Sequence, residues 1–339
     1  MSEKGQIVTT NKSMAKENPS EIFLKIFKKY YLLCVLIISI AIFGALSDNF
    51  LTVQNLTNVF VQNAYVTIAT IGVSLIMISG GADMSVSYQM SLVSILTCIL
   101  MLQVNLPVWL CVLIGIGIGG ILGFINGYIS SKLNVHSMVV TLGTMTIYQG
   151  IAFMVSGSKS YFNLPTAFKA IGQQYVFGIP ICVIIMVVMV LLASFILNKT
   201  YFGRYIYAVG GNKEAARLAG INTNFISIAA FVVAGIFIAV AGIILAARSG
   251  SANAGMATDA VFNCITGCVL GGISFAGGEG KVSNVVIAVL IIGVLANGMQ
   301  LIGMGIYPQY IAKGIILLAA IGYDTYQKKV KVKKVQIAM

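Results

Sequence analysis

The sequence predicts an all-α polytopic membrane protein with about ten transmembrane helices. Three observations carry that expectation. The apolar fraction is 58% and the mean hydropathy +0.96, far above the roughly half-apolar composition of soluble domains. Apolar runs of about 20 residues, each long enough to cross roughly 30 Å of hydrocarbon, recur along the chain. These runs do not alternate as barrel strands do, and backbone groups in lipid must be satisfied internally, so the spans are expected to be helices.

Residues 1–29 carry six lysines among Ser, Asn and Gln and read as a solvated cytoplasmic tail. The apolar run from Tyr31 has no small-x-small cleavage site, so it reads as an uncleaved first span. Ten spans follow from the apolar runs, near 31–47, 61–79, 88–104, 107–129, 136–156, 178–198, 224–247, 259–276, 282–302 and 309–323. They make residues 30–325 the membrane domain and leave 326–339 as a basic cytoplasmic tail. The stretch at 136–156 carries Thr141, Thr144, Thr146 and Gln149, which suits a helix lining a cavity better than one facing lipid. Gly115, Gly119 and Gly123 recur at every fourth position of the fourth span, the spacing that lets helix backbones approach closely.

Charge tests the layout. With the N-terminus inside, seventeen of the 21 lysines and arginines fall on cytoplasmic segments. Lys159, Lys169 and Arg248 fall outside, and Lys313 lies in the last span. This bias fits an even number of spans with both termini in the cytoplasm; eight spans plus re-entrant segments keep the same parity. The net charge of +12 is thereby explained by topology, and nucleic acid is not an expected partner.

Little in the chain suits catalysis. His136 is the only histidine, which excludes a two-histidine metal site, and it reads as a helix end near the cytoplasmic surface. The six cysteines all lie in apolar runs without metal-ligand spacing and read as small buried hydrophobes. There is no Gly-x-Ser-x-Gly elbow and no phosphate-binding loop; Gly277-Gly278-Glu279-Gly280-Lys281-Val282 lacks both its spacing and its hydroxyl.

Intramembrane carboxylates are costly and therefore informative. Asp83 follows two glycines in GGADMSVS. It reads either as an interfacial turn capping the next helix or as unwound chain at depth, which requires burial or a cavity. Asp259 is expected to open the eighth span as an N-cap and Arg248 to close the seventh. Lys313 is placed to snorkel outward. The cluster LGGISFAGGEG at 270–280 fits a hinge loop or a static tight turn equally. A faint internal echo links Gly80-Gly81 with Gly271-Gly272, and Asn126-Gly127 with Asn297-Gly298, as duplicated transporters display.

One polar island interrupts the apolar chain, GGNKEAARLAG at 210–220. Asn212 is expected to cap a short helix over 213–219, with Glu214 in its first turn, Arg217 near its last and Gly220 as its stop. Ala215, Leu218 and Ala219 then form a small apolar face. So short a helix is unstable in water alone. The face is too slight to hold a membrane interface, and a groove on a soluble cytoplasmic partner fits better.

Glu-Ala-Ala-x-x-x-Gly at 214–220 resembles the coupling loop of ATP-binding-cassette importer permeases. The run FGRYIYAVGGN at 202–212 resembles the segment before that loop in ribose, galactose and xylose permeases. GGADMSVS, VVTLGTM at 139–145, VLGGISFAGGEG, IIGVLANGMQLIG and AKGIILLAA resemble further segments of the same permeases, in order, over roughly 50–325. The chain departs from them at Ser87, where glycine is usual, and at His136-Ser137-Met138, where proline and phenylalanine are common.

The resemblance implies an importer permease of the second structural type, in a bacterial cytoplasmic membrane, carrying a monosaccharide; relatives of this kind also carry an autoinducer or nucleosides. It implies a second copy or a paralogue completing the path, an extracytoplasmic solute-binding protein, and a cytoplasmic ATPase that supplies the ATP and Mg, with no cofactor or metal on this chain. Asn212, Glu214, Ala215, Ala216, Arg217, Leu218 and Gly220 would couple to the ATPase. The path or its gates would draw on Gly80, Gly81, Asp83, Ser85, Asn126, Thr141, Asp259, Gly271, Gly272, Ser274, Gly277, Gly278 and Asn297. Two other classes compete. An ion-coupled carrier would lean on Asp83 and Asp259, and would fail under a protonophore rather than under ATP depletion. An intramembrane enzyme lacks any paired acid, base or nucleophile.

Overall fold

The computed structural model describes residues 19–133 and 135–338; the expected tail lies outside the described residues as far as residue 18. Thirteen helices and one small hairpin follow in order. They are α1 (Pro19–Leu46), α2 (Val53–Ile78), α3 (Val86–Leu102), α4 (Val108–Leu133), α5 (Ser137–Ser156) and α6 (Thr166–Gln173). The hairpin β1 (Tyr175–Val176) and β2 (Ile179–Pro180) leads into α7 (Ile181–Lys199), α8 (Tyr201–Gly211) and α9 (Lys213–Leu218). The chain closes with α10 (Thr223–Ser249), α11 (Ala260–Leu270), α12 (Val282–Leu301) and α13 (Ile306–Ala338).

Among the described residues six helices are long and apolar enough to cross a membrane: α2, α4, α5, α7, α10 and α12. Four shorter apolar stretches, Tyr30–Leu46, Val86–Leu102, Ala260–Leu270 and Ile306–Gly322, bring the total to ten. Each overlaps one of the ten expected spans, in order. Helical geometry breaks at Tyr30 inside α1, where the first apolar span begins.

α2 and α10 sit at the centre. α2 hides its hydroxyls by turning them onto its own backbone: Thr70 donates to the Val66 carbonyl and Ser74 to the Ile71 carbonyl, both at 2.6 Å. The glycine ladder of α4 packs directly on α10. A Cβ at Gly127 would come within 2.9 Å of the Ile228 Cα, and one at Gly119 or Gly123 would collide with the backbone of Gly235 or Phe231. The expected close approach is therefore the α4–α10 seam. The opposite side of α4 presents Leu113, Ile121 and Phe124 outward, and α7 presents Val187, Val188, Leu191 and Phe195.

Contacts sort the loops into two ends. Tyr161 and Ala252 form a bridge, Gln173 donates to the Arg248 carbonyl at 3.0 Å, and Gln103 meets the Tyr161 hydroxyl. Those residues mark one end. At the other, Gly278 donates to the Ile78 carbonyl and the Tyr207 hydroxyl to the Gly280 carbonyl, both at 2.8 Å. α9 is at this second end.

One expected span is corrected. The eighth, at 259–276, is only an eleven-residue helix, or roughly 16 Å at 1.5 Å per residue. It stops at Leu270 because Gly272 takes a left-handed conformation (φ 78°) and lets two amides turn back. The Gly272 N–H bonds to the Val269 carbonyl and the Ile273 N–H to the Cys268 carbonyl, each at 2.9 Å. Beyond it, 271–281 is loop. α2 ends by the same device at Gly80 (φ 87°), where Gly80 and Gly81 bond back to Met77 and Ile76, each at 3.0 Å. The echo between Gly80-Gly81 and Gly271-Gly272 is thus an echo of helix-ending geometry, offset by one residue.

Candidate functional site

Three layers are stacked from the middle of the bundle to the α9 end. The uppermost is a polar network around the break between α2 and α3. Residues 79–85 are unwound there. Asp83 is 2% exposed, and its Oδ1 accepts the Ser85 N–H at 2.8 Å and the Ser85 hydroxyl at 2.6 Å. Asn126 of α4 donates through Nδ2 to Ser85 Oγ at 2.9 Å and accepts from the Tyr148 hydroxyl at 3.2 Å. From α5, Ser137 Oγ accepts the Ala82 N–H at 2.8 Å and Thr141 Oγ1 the Met84 N–H at 3.0 Å.

The buried polar groups that unwinding sets free need partners. α4 and α5 supply them. Gly80, Gly81, Asp83, Ser85, Asn126 and Thr141 therefore converge on one place. Asp83 sits on unwound buried chain, the second of its two sequence readings; the first is corrected, because its carboxylate closes a turn onto Ser85 and α3 begins without a side-chain cap. Thr144 is likewise buried, while Thr146 is exposed and Gln149 Nε2 donates to the Tyr88 hydroxyl at 2.8 Å; α5 spends its polar face on α3 rather than on a cavity.

A second break meets the first. Ser87 Oγ donates to the Thr258 carbonyl at 3.1 Å and accepts the Val261 N–H at 3.0 Å. The depth of this tie follows from packing. α3 runs parallel to α10, with Gln89 against Gly235 and Ser94 bonded to the Gly242 carbonyl at 2.9 Å. Ser87 is two turns inward of Ser94, and Gly242 two turns inward of Ser249. At 1.5 Å per residue, α11 thus begins roughly 20 Å below the end of α10, near the middle of that roughly 40 Å helix. After α10 the chain descends unwound through 250–259 and only then forms a half-length helix.

Asp259 stands at the N-cap position of α11 but makes no cap bond. Its Oδ2 accepts the Tyr310 hydroxyl at 2.9 Å instead, which corrects the expected cap: the phenol on α13 has captured the carboxylate. Arg248 does lie in the last turn of α10.

The lowest layer is a knot of glycine backbones. Gly210 of α8, Gly80 after α2, and Gly277 and Gly278 after α11 meet with no side chain between them. A Cβ at Gly210 would lie 2.6 Å from the Gly278 nitrogen, one at Gly277 2.7 Å from the Gly80 Cα, and one at Gly278 2.6 Å from the Gly211 Cα. Gly277 and Gly278 also have φ of 86° and 74°, where a side chain is strained. Ser274 caps the turn by accepting the Ala276 N–H at 3.1 Å. Gly271 packs on Val285 of α12. Burial raises the Tyr207 phenol above its ordinary value, keeping it a donor to Gly280 at any physiological pH.

α9 hangs below the knot. Asn212 Oδ1 accepts the Ala215 N–H at 2.9 Å, as a cap should. Gly220 (φ 84°) ends the helix, with Gly220 and Ile221 bonding back to the carbonyls of Arg217 and Ala216 at 3.0 and 3.1 Å. Glu214 and Arg217 pair at 2.9 Å in solvent. Only Ala216 is buried; Ala215, Ala219 and Leu218, itself 81% exposed, form the expected apolar face. Beside it a recess of about 320 Å³ is lined by Lys213, His136, Ser130, Ser131 and Gly80. His136 caps α5, its Nδ1 accepting the Met138 N–H at 3.3 Å.

Asn297 is set apart from all three layers. It exchanges two side-chain hydrogen bonds with Asn55, at 2.9 and 3.0 Å, clamping α12 to α2. Ser87, Ser137 and Tyr148 carry as much of the network as the residues picked from sequence. Ser87 and Ser137 stood out in sequence only as departures from the resembling permeases, and Tyr148 only as a polar group in an apolar run.

Comparison with known proteins agrees with this architecture. A family model described as branched-chain amino acid transport system / permease component matches residues 55–321. The chain is 34% identical to the D-allose transport system permease protein AlsC of Escherichia coli over 319 residues, 93% of this chain and 97% of that one. It is 35% identical to the ribose import permease protein RbsC of Haemophilus influenzae over 295 residues, 86% and 91% of the two chains. The L-arabinose transport system permease protein AraH of Escherichia coli is 35% identical over 312 residues, 91% and 94%. No solved structure matches the chain.

Proposed function

The chain belongs to the family of branched-chain amino acid transport system permease components, and on that premise we propose that it is the membrane subunit of an ATP-binding-cassette importer for a monosaccharide. The curated relatives named above are permeases for D-allose, ribose and L-arabinose, which favours a pentose or hexose over an autoinducer or a nucleoside. A separate cytoplasmic ATPase drives it, a solute-binding protein delivers the sugar, and a second permease copy or paralogue completes the path. Both termini and α9 face the cytoplasm.

The observation that carries the reading is α9 itself. It is a capped, six-residue helix whose apolar face is exposed among the described residues, joined through Gly210 and Gly211 to the backbone knot where α2, α8 and the loop after α11 meet. A partner that grips α9 pulls on the ends of two broken helices at once. With no side chains between the strands of the knot, such a displacement passes from backbone to backbone.

The test is uptake in cells lacking the chain, across a panel of labelled pentoses and hexoses. Restoration of one sugar by the intact chain, abolished by ATP depletion and indifferent to a protonophore, is the expected result. Uptake that collapses with the protonophore and survives ATP depletion would replace the importer with an ion-coupled carrier.

A further inference from the structure

A recess of about 340 Å³ opens between α11 and α13, outside the network and the knot, and is lined by Asp259, Phe262, Asn263, Thr266, Tyr310 and Lys313. The spacing explains the convergence: 259, 262/263 and 266 share one face of α11, and 310 and 313 one face of α13. Because α11 starts at mid-depth, the recess lies within the membrane span, where a polar cluster has to be justified by partners or by function.

Partners account for only part of it. Asp259 and Tyr310 bond to each other at 2.9 Å. The Lys313 ammonium lies 5.9 Å from the Tyr310 ring centroid. Among the described residues its Nζ, the Asn263 amide and the Thr266 hydroxyl make no hydrogen bond, although Thr266 is 3% exposed. A helical threonine ordinarily bonds to its own backbone, as Thr70 does. Phe262 also lines the recess and is 65% exposed.

We propose that this recess is a solute-contact site for one neutral sugar ring, with Asp259 accepting from one hydroxyl, Lys313 donating to its neighbour, and Phe262 covering the C–H face. This rests on the importer reading. The chemistry selects a neutral polyol: an anion is opposed by Asp259, a cation by Lys313, and an apolar solute leaves the amide, hydroxyl and ammonium unpaired. The recess, open on one side, has room for a single sugar ring. α11 then joins the site to the rest of the machine, since its other end runs through Gly271 and Gly272 into the glycine knot above α9.

The experiment uses the complete importer and the sugar whose uptake the intact chain restores. Asn263→Cys is labelled with a small methanethiosulfonate reagent, the wild-type chain serving as the blank for native thiols. A tenfold or greater slowing of labelling by saturating sugar is expected. Asp259→Asn and Lys313→Met should lose most uptake at normal membrane abundance and lose discrimination against the analogue lacking one particular hydroxyl. Thr266→Val, close to isosteric, keeps the test decisive if the charge variants fail to insert, and should relax that selectivity by a few-fold. Labelling at equal rates with and without sugar, with variants as selective as wild type, overturns the site while leaving the importer standing. A cysteine unreactive under both conditions also overturns it, as a recess covered by a second copy. An intact chain that restores no sugar uptake removes the importer reading first, and the sugar site with it.

Discussion

Ser87 accepts the N–H of Val261 at 3.0 Å while its own hydroxyl proton goes to the carbonyl of Thr258 at 3.1 Å. One side chain thus ties the start of α3 to the start of α11, two helices that both begin inside the membrane span. Ser87→Ala leaves an N–H and a carbonyl without their partner, at about 1–2 kcal/mol by the usual worth of such bonds. A lower thermal midpoint of the purified protein in detergent is expected, together with slower uptake. Ser87→Thr, which keeps the hydroxyl, should stay closer to wild type. Equal melting of all three proteins would show that the two breaks are held elsewhere.

The knot makes a sharper prediction. Gly210→Ala and Gly278→Ala each place a methyl group within 2.6 Å of backbone, so the loop after α11 must part from α8. Gly211 has open space, and Gly211→Ala is the matched control. Transport should fall more than tenfold in the first two at unchanged membrane abundance, and hardly at all in the third. Three equally active variants would mean the strands slide apart at no cost.

The α9 face separates partner contact from helix stability. Glu214 and Arg217 are 70% and 64% exposed, where solvent screening leaves an ion pair little worth. Glu214→Gln should therefore leave the helix standing; uncoupled ATP hydrolysis in that variant would report a contact with the ATPase. Leu218→Asp should weaken ATPase association at least tenfold, about 1.4 kcal/mol, measured by co-purification from membranes. Gly220→Ala strains a φ of 84° by roughly 1–2 kcal/mol and should loosen coupling without preventing insertion. Undiminished association of Leu218→Asp removes α9 from the interface.

The amide pair of Asn55 and Asn297 calls for a double-mutant cycle. Asn297→Leu orphans a buried amide and should cost about 1–3 kcal/mol. Asn55→Leu combined with it should cost less than the sum of the two single changes, because no unpaired amide then remains, while the Phe50 carbonyl loses its Asn55 donor in the Asn55 single and the double variant alike. Additive losses in thermal melting would deny the pairing.

The spans and α9 were legible in the sequence because each is a local pattern: an apolar run, a cap, a stop glycine. Gly80, Gly81, Asp83, Ser85, Asn126 and Thr141 were legible one at a time as polar or permissive residues in apolar surroundings. Their meeting was not, since it depends on which helices pack, and one hydroxyl in an apolar run resembles any other. Ser87 is the clearest case. Its partner lies 174 residues away, and its departure from the usual glycine did not say what the hydroxyl would meet. The length of α11 was hidden for a similar reason: apolar composition continues through Ile273 and Phe275, and composition alone does not say where left-handed glycines interrupt a helix.

The bare seam between α4 and α10 bears on the birth of the molecule. Gly119 faces Ala239 and Gly123 faces Phe231, so α4 enters the bilayer well before the surface it is shaped for has been translated. At a synthesis rate of roughly 5–20 residues per second, its notched side waits among lipid tails for on the order of ten seconds. Whatever shields that flank in the interim, an insertion factor or the lipids themselves, must give way when α10 arrives.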